Sequence, residues 1–413
     1  MSDFLIGNLL YGQSGGPSSV INASAYGVIS EARKRSSIIT EIYAMHHGIQ
    51  GLLNEDFIKI GDQPDSQLEL LPHTPGAAFG SVRHKMKDWR VDETDYIRVI
   101  EVFKKYNIRY FFYNGGNDSM DTCAKIDEYC RHVGYECRVV GVPKTIDNDL
   151  PVTDHTPGYG SAAKFIANTL MEISYDNDAY PKGRVNVVEI MGRNAGWLTA
   201  AGALATHHGF GPDLIYVPEI PFDIEKFKKD VKKVYDEKQR CLVAVSEGIR
   251  GADGKLIATV GGRKDAFGHH QLGGIASTLI RIIENDLGIS CRAIEISLLQ
   301  RCASHLQSKT DVTEAIDVGS TAVKVACKGQ SGVMVTIKRV SSDPYIVKYS
   351  TVPLNQVANV EFKMPRSMIN EEGNGMTKEF IEYAAPLIEG GCKPVYRNGV
   401  QQLARIRYDE DDD

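Results

Sequence analysis

The sequence predicts an α/β protein built as two parallel-sheet domains that share a substrate cleft. Three observations lead there. The chain has 413 residues, more than the roughly 100–200 typical of one domain. Short apolar runs that read as buried strands recur along it. Most of these runs are followed by a glycine-bearing turn and then a helix-length amphipathic segment.

The strands are expected at 5–11, 42–45, 110–113, 138–142, 185–190, 214–217, 242–245 and 291–296. The alternation is clearest after Tyr113. A glycine turn leads into 118–133, where Met120, Cys123, Ala124, Ile126 and Cys130 are spaced like one helical face. Strand, turn and helix repeated in that order imply parallel strands joined by crossover helices. Such sheets bind ligands beyond the carboxyl ends of their strands, so the chemistry is expected in those turns.

Composition narrows the partners. There are 47 basic and 53 acidic residues, giving a net charge of −6, and no basic arm or aromatic-interleaved basic stripe that would track nucleic acid. The eight cysteines are scattered without a Cys-x-x-Cys pair, which points to reduced thiols, mostly buried, rather than to zinc or redox motifs. The N-terminal segment reaches a glycine and an asparagine before any long apolar run, so a cytoplasmic protein with neither signal peptide nor membrane span is expected. The pairs His46-His47, His207-His208 and His269-His270 have no carboxylates at ligand spacing and read as loop or core histidines. The final Asp409-Glu-Asp-Asp-Asp reads as a solvated tail, and from residue 352 onward the pattern says little about function.

Four turns carry chemistry. The first, Gly12-Gln-Ser-Gly15-Gly16-Pro17, follows the first strand and precedes a helix expected from near Ser18. Its glycines let backbone amides approach an anion at the helix end, and a plain tight turn explains it equally well. The second, Tyr113-Asn-Gly115-Gly116-Asn117-Asp118-Ser119, repeats that arrangement. Asp118 and Ser119 are either helix caps or part of a phosphate and magnesium site in which Asn117 or Asp118 holds the metal.

The third turn, Pro143-Lys144-Thr145-Ile146-Asp147-Asn148-Asp149, packs two carboxylates, a hydroxyl and a lysine behind a strand, too many polar groups for an ordinary buried turn. An aspartate there can take the proton of an attacking hydroxyl, while the lysine neutralises a transferring phosphoryl group. The fourth, Ile190-Met191-Gly192-Arg193-Asn194, presents a guanidinium where anions bind. A later strand ends in Ser246-Glu247-Gly248, whose carboxylate suits sugar hydroxyls; taken alone, Glu247 reads as a surface acid.

Taken together, Pro-Lys-Thr-Ile-Asp-Asn-Asp, Met-Gly-Arg and Ser-Glu-Gly at these separations resemble the phosphofructokinase family, and the match runs from Ile6 to about Arg301. The resemblance implies two Rossmann-like domains with the active site in the cleft between them. It divides the chain into a donor domain, 1–158 with about 300–350, and a fructose 6-phosphate domain, 159–299 with about 351–413. It also implies reversible phosphoryl transfer to the 1-hydroxyl of fructose 6-phosphate with Mg2+, in a homodimer or homotetramer.

Carried over residue by residue, the resemblance makes Asp147 the base and Asp149 a helper near the metal. Thr145, Ile146, Met191, Gly192, Arg193 and Glu247 would hold the sugar phosphate, Arg193 also stabilising the transferring group. Gly16, Arg83, Gly116, Asp118, Ser119 and Lys144 would contact the donor, and Asn117 the metal. Arg184 and Arg292 would grip the 6-phosphate from a neighbouring subunit, beside Arg301. Two positions depart from the family: Asn117 stands where an acid is usual, and Leu298, at a substrate-binding position, stands where histidine or tyrosine is usual.

Members that use ATP resemble this chain but carry glycine at the positions of Asp118 and Lys144. A carboxylate and a lysine fill that space, so pyrophosphate is the expected donor. The alternatives are an ATP-dependent kinase of the same fold, against which Asp118 and Lys144 count, and a non-catalytic sugar-phosphate-binding subunit, against which Asp147, Asp149, Lys144 and Arg193 count.

Overall fold

The computed structural model describes residues 5–257 and 274–406. In it the chain forms β1 (Gly7–Gln13), β2 (Ile39–Met45), β3 (Phe57–Lys59), β4 (Ile108–Gly115), β5 (Arg138–Pro143), β6 (Val185–Ile190), β7 (Leu214–Tyr216), β8 (Cys241–Ser246), β9 (Cys291–Glu295), β10 (Val333–Ser342) and β11 (Tyr345–Pro353). All eight expected strands are present. The first larger sheet has the order β11-β10-β5-β4-β1-β2-β3 and the second the order β7-β8-β6-β9. Pairing is parallel throughout the second sheet and across the centre of the first, with antiparallel partners only at the first sheet's edges, where β3 meets β2 and β11 meets β10.

Helices cover both faces of each sheet, which is why the strands read as continuous apolar runs. Successive residues of β4 enter opposite cores: Phe111 and Tyr113 pack with Leu10 and Val139, while Tyr110 and Phe112 pack with Leu9, Tyr11 and Val140. The second sheet divides in the same way, Val188 and Ile190 on one side and Val185 and Val187 on the other. Each fully buried aromatic among them contributes about 2–3 kcal/mol by leaving water. Helices Ile21–Arg33 and Lys309–Cys327 pack backbone to backbone, since a Cβ on Gly27 would strike the Ile316 carbonyl and one on Gly319 the Ser24 carbonyl.

Three local expectations change. The first helix begins at Ile21 rather than near Ser18, because Ser18 is held in an extended bridge to Gly76. His46 does find a carboxylate, with Nδ1 3.0 Å from Asp56 Oδ2. The hairpin β10–β11, which extends the first sheet beyond β5, shows none of the strand-to-helix pattern by which the other strands were read. All eight cysteines are free, and five are buried. His269-His270 and the acidic tail lie outside the described residues. Among the described residues no helix is long and apolar enough to cross a membrane.

Candidate active site

The strand order of the first sheet reverses between β1 and β4, the place in an open parallel sheet where two strand-ending turns diverge and leave a crevice. Three of the four turns meet there. Lys144 N donates to Gly115 O at 3.0 Å, and Ser14 N to Asn114 O at 2.9 Å, so the turns after β1, β4 and β5 are tied by backbone. Lys144 is buried. Its Nζ donates to Ser14 O at 2.9 Å and Gly16 O at 2.5 Å. An ammonium has three donors, so these two contacts fix its position and leave one N–H for a ligand.

The room beside Gly16 is bounded by two guanidinium groups. A Cβ there would lie 3.2 Å from Arg301 Nη1 and 4.0 Å from Arg83 Nη2. Burial pulls the Lys144 ammonium down to about 8, against the attraction of Asp147, and Arg83 and Arg301 push the same way as burial. A buried ammonium kept beside two guanidinium groups makes a positive pocket of the kind that suits a polyanion. Gly116 is the N-cap of helix Asn117–His132, and with no side chain it cannot cap the first amides itself. Asp118 stands exposed on the first turn, Asn117 is half-buried, and Ser119 is buried against Gly115.

On the next turn Asp147 N donates to Thr145 Oγ1 at 3.0 Å. The Asp147 carboxyl is pushed up by burial and by Glu247, with Lys144 opposing, and Asp149 is pushed up by burial and by Asp147. Glu247 stands on the second sheet, so the Asp147 carboxylate faces across the cleft between the sheets. Two such carboxylates resist ionising together, which keeps a base of this kind titrating closer to neutral pH than a free aspartate. The Ile146 side chain anchors the turn among the core residues of the second sheet.

The opposite wall comes from the ends of β6 and β8. Gly192, at φ +136°, donates its N–H to Glu247 Oε1 at 3.4 Å, and its carbonyl accepts from Ser246 Oγ. Met191 N donates to Gln300 Oε1 at 3.2 Å. A Cβ on Gly248 would collide with the Arg193 carbonyl, so that glycine lets the arginine-bearing turn close on Glu247. The Glu247 carboxyl is itself pushed up by burial. Arg301 lies on the short helix Leu299–Cys302 and is half-buried, whereas Leu298 is 53% exposed.

Arg184 and Arg292 are not brought to this wall. Arg184 precedes the first residue of β6, and Arg292 pairs with Asn186 near the start of β9. Strands rise about 3.3 Å per residue, so along the strands Arg184 sits roughly 23 Å and Arg292 roughly 17 Å from Met191, and both are exposed.

Sequence reasoning missed the segment that joins the two walls. Asn359 Nδ2 donates to Asp121 Oδ1 at 2.9 Å on the donor side. Asn194 Nδ2 donates to Glu361 Oε1 at 2.9 Å on the acceptor side. Phe362 N donates to Asp149 O at 2.7 Å, and the Phe362 ring stacks on Trp197 at 5.8 Å. Glu361 adds to the negative field at Asp147 and Asp149. The segment has no regular element between its short helical turns, and hence no periodicity to mark it.

For a metal, the donor set matters. Among the described residues no three His, Cys, Asp or Glu side chains gather as ligands. Asn117, Asp118 and Asp149 instead offer hard oxygen donors at the ends of the neighbouring strands β4 and β5. That set fits a small divalent cation that takes its remaining ligands from phosphate and water.

Known proteins resemble this chain over nearly its whole length. The family model described as Phosphofructokinase matches residues 8–326. A protein of Halomonas elongata named pyrophosphate–fructose 6-phosphate 1-phosphotransferase is 46% identical over 97% of this chain and 96% of its own. One of the same name from Methylococcus capsulatus is 44% identical over the same shares. The crystal structure of a pyrophosphate-dependent phosphofructokinase from Marinobacter aquaeolei superposes with a TM-score of 0.89 at 40% identity, covering 98% of this chain and 97% of that one. A parallel-sheet switch point lined by cations, a carboxylate pair facing a second sheet, and likeness over nearly the whole length agree: the chain belongs to the phosphofructokinase family.

Proposed function

We propose that this protein transfers a phosphoryl group from pyrophosphate to the 1-hydroxyl of fructose 6-phosphate, giving fructose 1,6-bisphosphate and phosphate, reversibly. The observation that carries the donor assignment is Lys144, buried and fixed on the carbonyls of Ser14 and Gly16. It puts a side-chain charge where a nucleotide's inner phosphate would need bare backbone. Asp118 stands on the other turn of the crevice and closes the nucleotide path further.

In the forward step Asp147 takes the proton of the sugar 1-hydroxyl as that oxygen attacks the terminal phosphorus. The bridging P–O bond breaks, and orthophosphate leaves with the bond's electron pair. The Lys144 ammonium meets the charge growing on the leaving phosphate, and the Arg193 guanidinium that on the moving phosphoryl group. Thr145, Met191, Gly192 and Glu247 orient the sugar, and Gly16, Gly116, Ser119, Arg83 and Arg301 cradle phosphates. A divalent cation, which we assign as Mg2+, neutralises donor charge when bound; Asn117 and Asp118 would hold it, with Asp149 nearby.

The 6-phosphate is completed by Arg184 and Arg292 of a second copy, in a homodimer or homotetramer. Their place at the far end of their own sheet supports this reading. Free thiols and phosphorylated substrates suit the cytoplasm. A coupled assay of the purified protein tests the donor: turnover is expected with pyrophosphate and a divalent cation and none with ATP, and Asp118→Gly should begin to admit ATP. Robust ATP activity in the unaltered protein would overturn the reading.

A further inference from the structure

We propose that Asn148 and Tyr383 form a positioning relay that sets the direction of the two site carboxylates, with Tyr383 seated on Asp154 and Arg339 at the near edge of a buried ionic cluster behind the turn. The inference rests on the function just proposed. Asn148 lies between Asp147 and Asp149 and is 2% exposed, with φ +54°. Its Nδ2 donates to the Tyr383 hydroxyl at 2.7 Å, and its Oδ1 accepts from Thr156 N at 3.0 Å. The Tyr383 hydroxyl donates in turn to Asp154 O at 2.8 Å.

Behind it lies a cluster that the reaction does not use. Asp154 Oδ2 accepts from Arg339 Nη2 at 2.9 Å and from His155 Nδ1 at 2.8 Å. The other nitrogen, His155 Nε2, is 2.5 Å from Glu314 Oε2, and Glu314 Oε1 accepts from Tyr345 at 2.7 Å. Arg339 Nη1 also donates to Tyr383 O at 2.9 Å, and its guanidinium lies 4.9 Å from the Tyr383 ring centre. Tyr383 is therefore gripped at its hydroxyl, its ring and its backbone.

The turn needs such a hold. Asn148 and Val152 are both left-handed, the latter at φ +65°. A β-branched residue adopts that conformation only where its surroundings impose it. The torsions of Asn148 fix how Asp147 and Asp149 face relative to each other, so slack at Asn148 swings one of them away from the cleft. The relay thus links helix Lys378–Ala384 and the hairpin β10–β11 to the reacting groups, in a part of the chain where the sequence pattern carries no functional signal.

The test measures turnover and Michaelis constants for fructose 6-phosphate and pyrophosphate. Tyr383→Phe is expected to lower kcat about tenfold with both KM values within about twofold, since orientation rather than binding is lost. Asn148→Gly keeps the left-handed backbone but cuts the same link, so it should lose a similar factor, and the double variant no more than the worse single. Tyr345→Phe loosens the cluster from its far side; it should melt earlier yet keep kcat. The proposal is overturned by an unchanged kcat in Tyr383→Phe, by single losses that multiply in the double variant, or by an equal kcat loss in Tyr345→Phe. Should Tyr383→Phe fail to fold, an unchanged kcat in Asn148→Gly overturns it alone.

Discussion

The two walls of the cleft are finished to different degrees. On the first sheet the turns close on one another within one chain: Lys144 is buried, the turns are tied by backbone, and Arg83 and Arg301 bound the space beside Gly16. On the second sheet the edge strand β9 is mostly part-exposed, Leu298 and Leu299 stand in solvent, and Arg184 and Arg292, proposed to grip the 6-phosphate, lie at the far end from Met191–Arg193. The contrast has a physical reason. A donor of four charged oxygens clustered on two phosphorus atoms needs a compact, desolvated cradle, which one strand order can supply. A sugar phosphate spans a longer distance, and a second copy can reach what one sheet cannot.

If the donor wall carries the chemistry, its variants should cost the most. Asp147→Asn is expected to cut kcat roughly a thousandfold while sugar-phosphate affinity, followed by calorimetry, stays within a few-fold, the scale of a lost general base. A folded variant with near-normal turnover would remove Asp147 from its role. Lys144→Met should come next, at roughly a hundredfold in turnover with pyrophosphate. Lys144→Arg should not restore it, because a planar fork cannot replace a point charge held between two carbonyls; initial rates of both variants settle this.

The acceptor wall should respond more weakly and in a different parameter. Arg184→Ala is expected to raise KM for fructose 6-phosphate about tenfold to a few tens-fold, with KM for pyrophosphate unchanged, as for one charge-assisted contact. Mixing Arg184→Ala with Arg193→Ala subunits should regain activity through hybrid sites that hold both native arginines. Verified hetero-oligomers without any recovery would show that Arg184 serves its own chain.

The same contrast explains what could be read from sequence. The parallel strands were legible because burial on both faces turns them into uninterrupted apolar runs, as in Val185–Ile190. The donor turns were legible because glycines, a lysine and two aspartates crowd behind such runs. The hairpin β10–β11 was not, since only residues 334–337 form a buried run, the rest is part-buried or exposed almost throughout, and no α-helix follows it. That Lys144 is held by two carbonyls was invisible as well: a sequence shows a charge but not the oxygens around it. Glu361, Asn359 and the His155 cluster are assembled from segments more than 150 residues apart, and no local pattern announces a contact of that range.

The smallest effect concerns the cluster behind the donor wall, and it is read in stability. Burial opposes a charge on His155, but Glu314 and Asp154 on either side of the ring overcome it and push the imidazole up to about 9 from an ordinary 6.5. The folded protein therefore holds a proton that the unfolded chain has released between those two values. Stability from this group is full below pH 6.5 and is lost as pH rises through 9. Between pH 7 and pH 8 the loss should be about 1 kcal/mol, which in a chain of this length lowers Tm by roughly 1–2 °C. Thermal melts of the unaltered protein and of His155→Gln across pH 6–9 isolate the term, because every other titrating group is shared. The glutamine variant should start less stable and show the shallower decline with pH. Parallel curves would mean that His155 titrates alike in the folded and unfolded protein and that the cluster does not hold its proton.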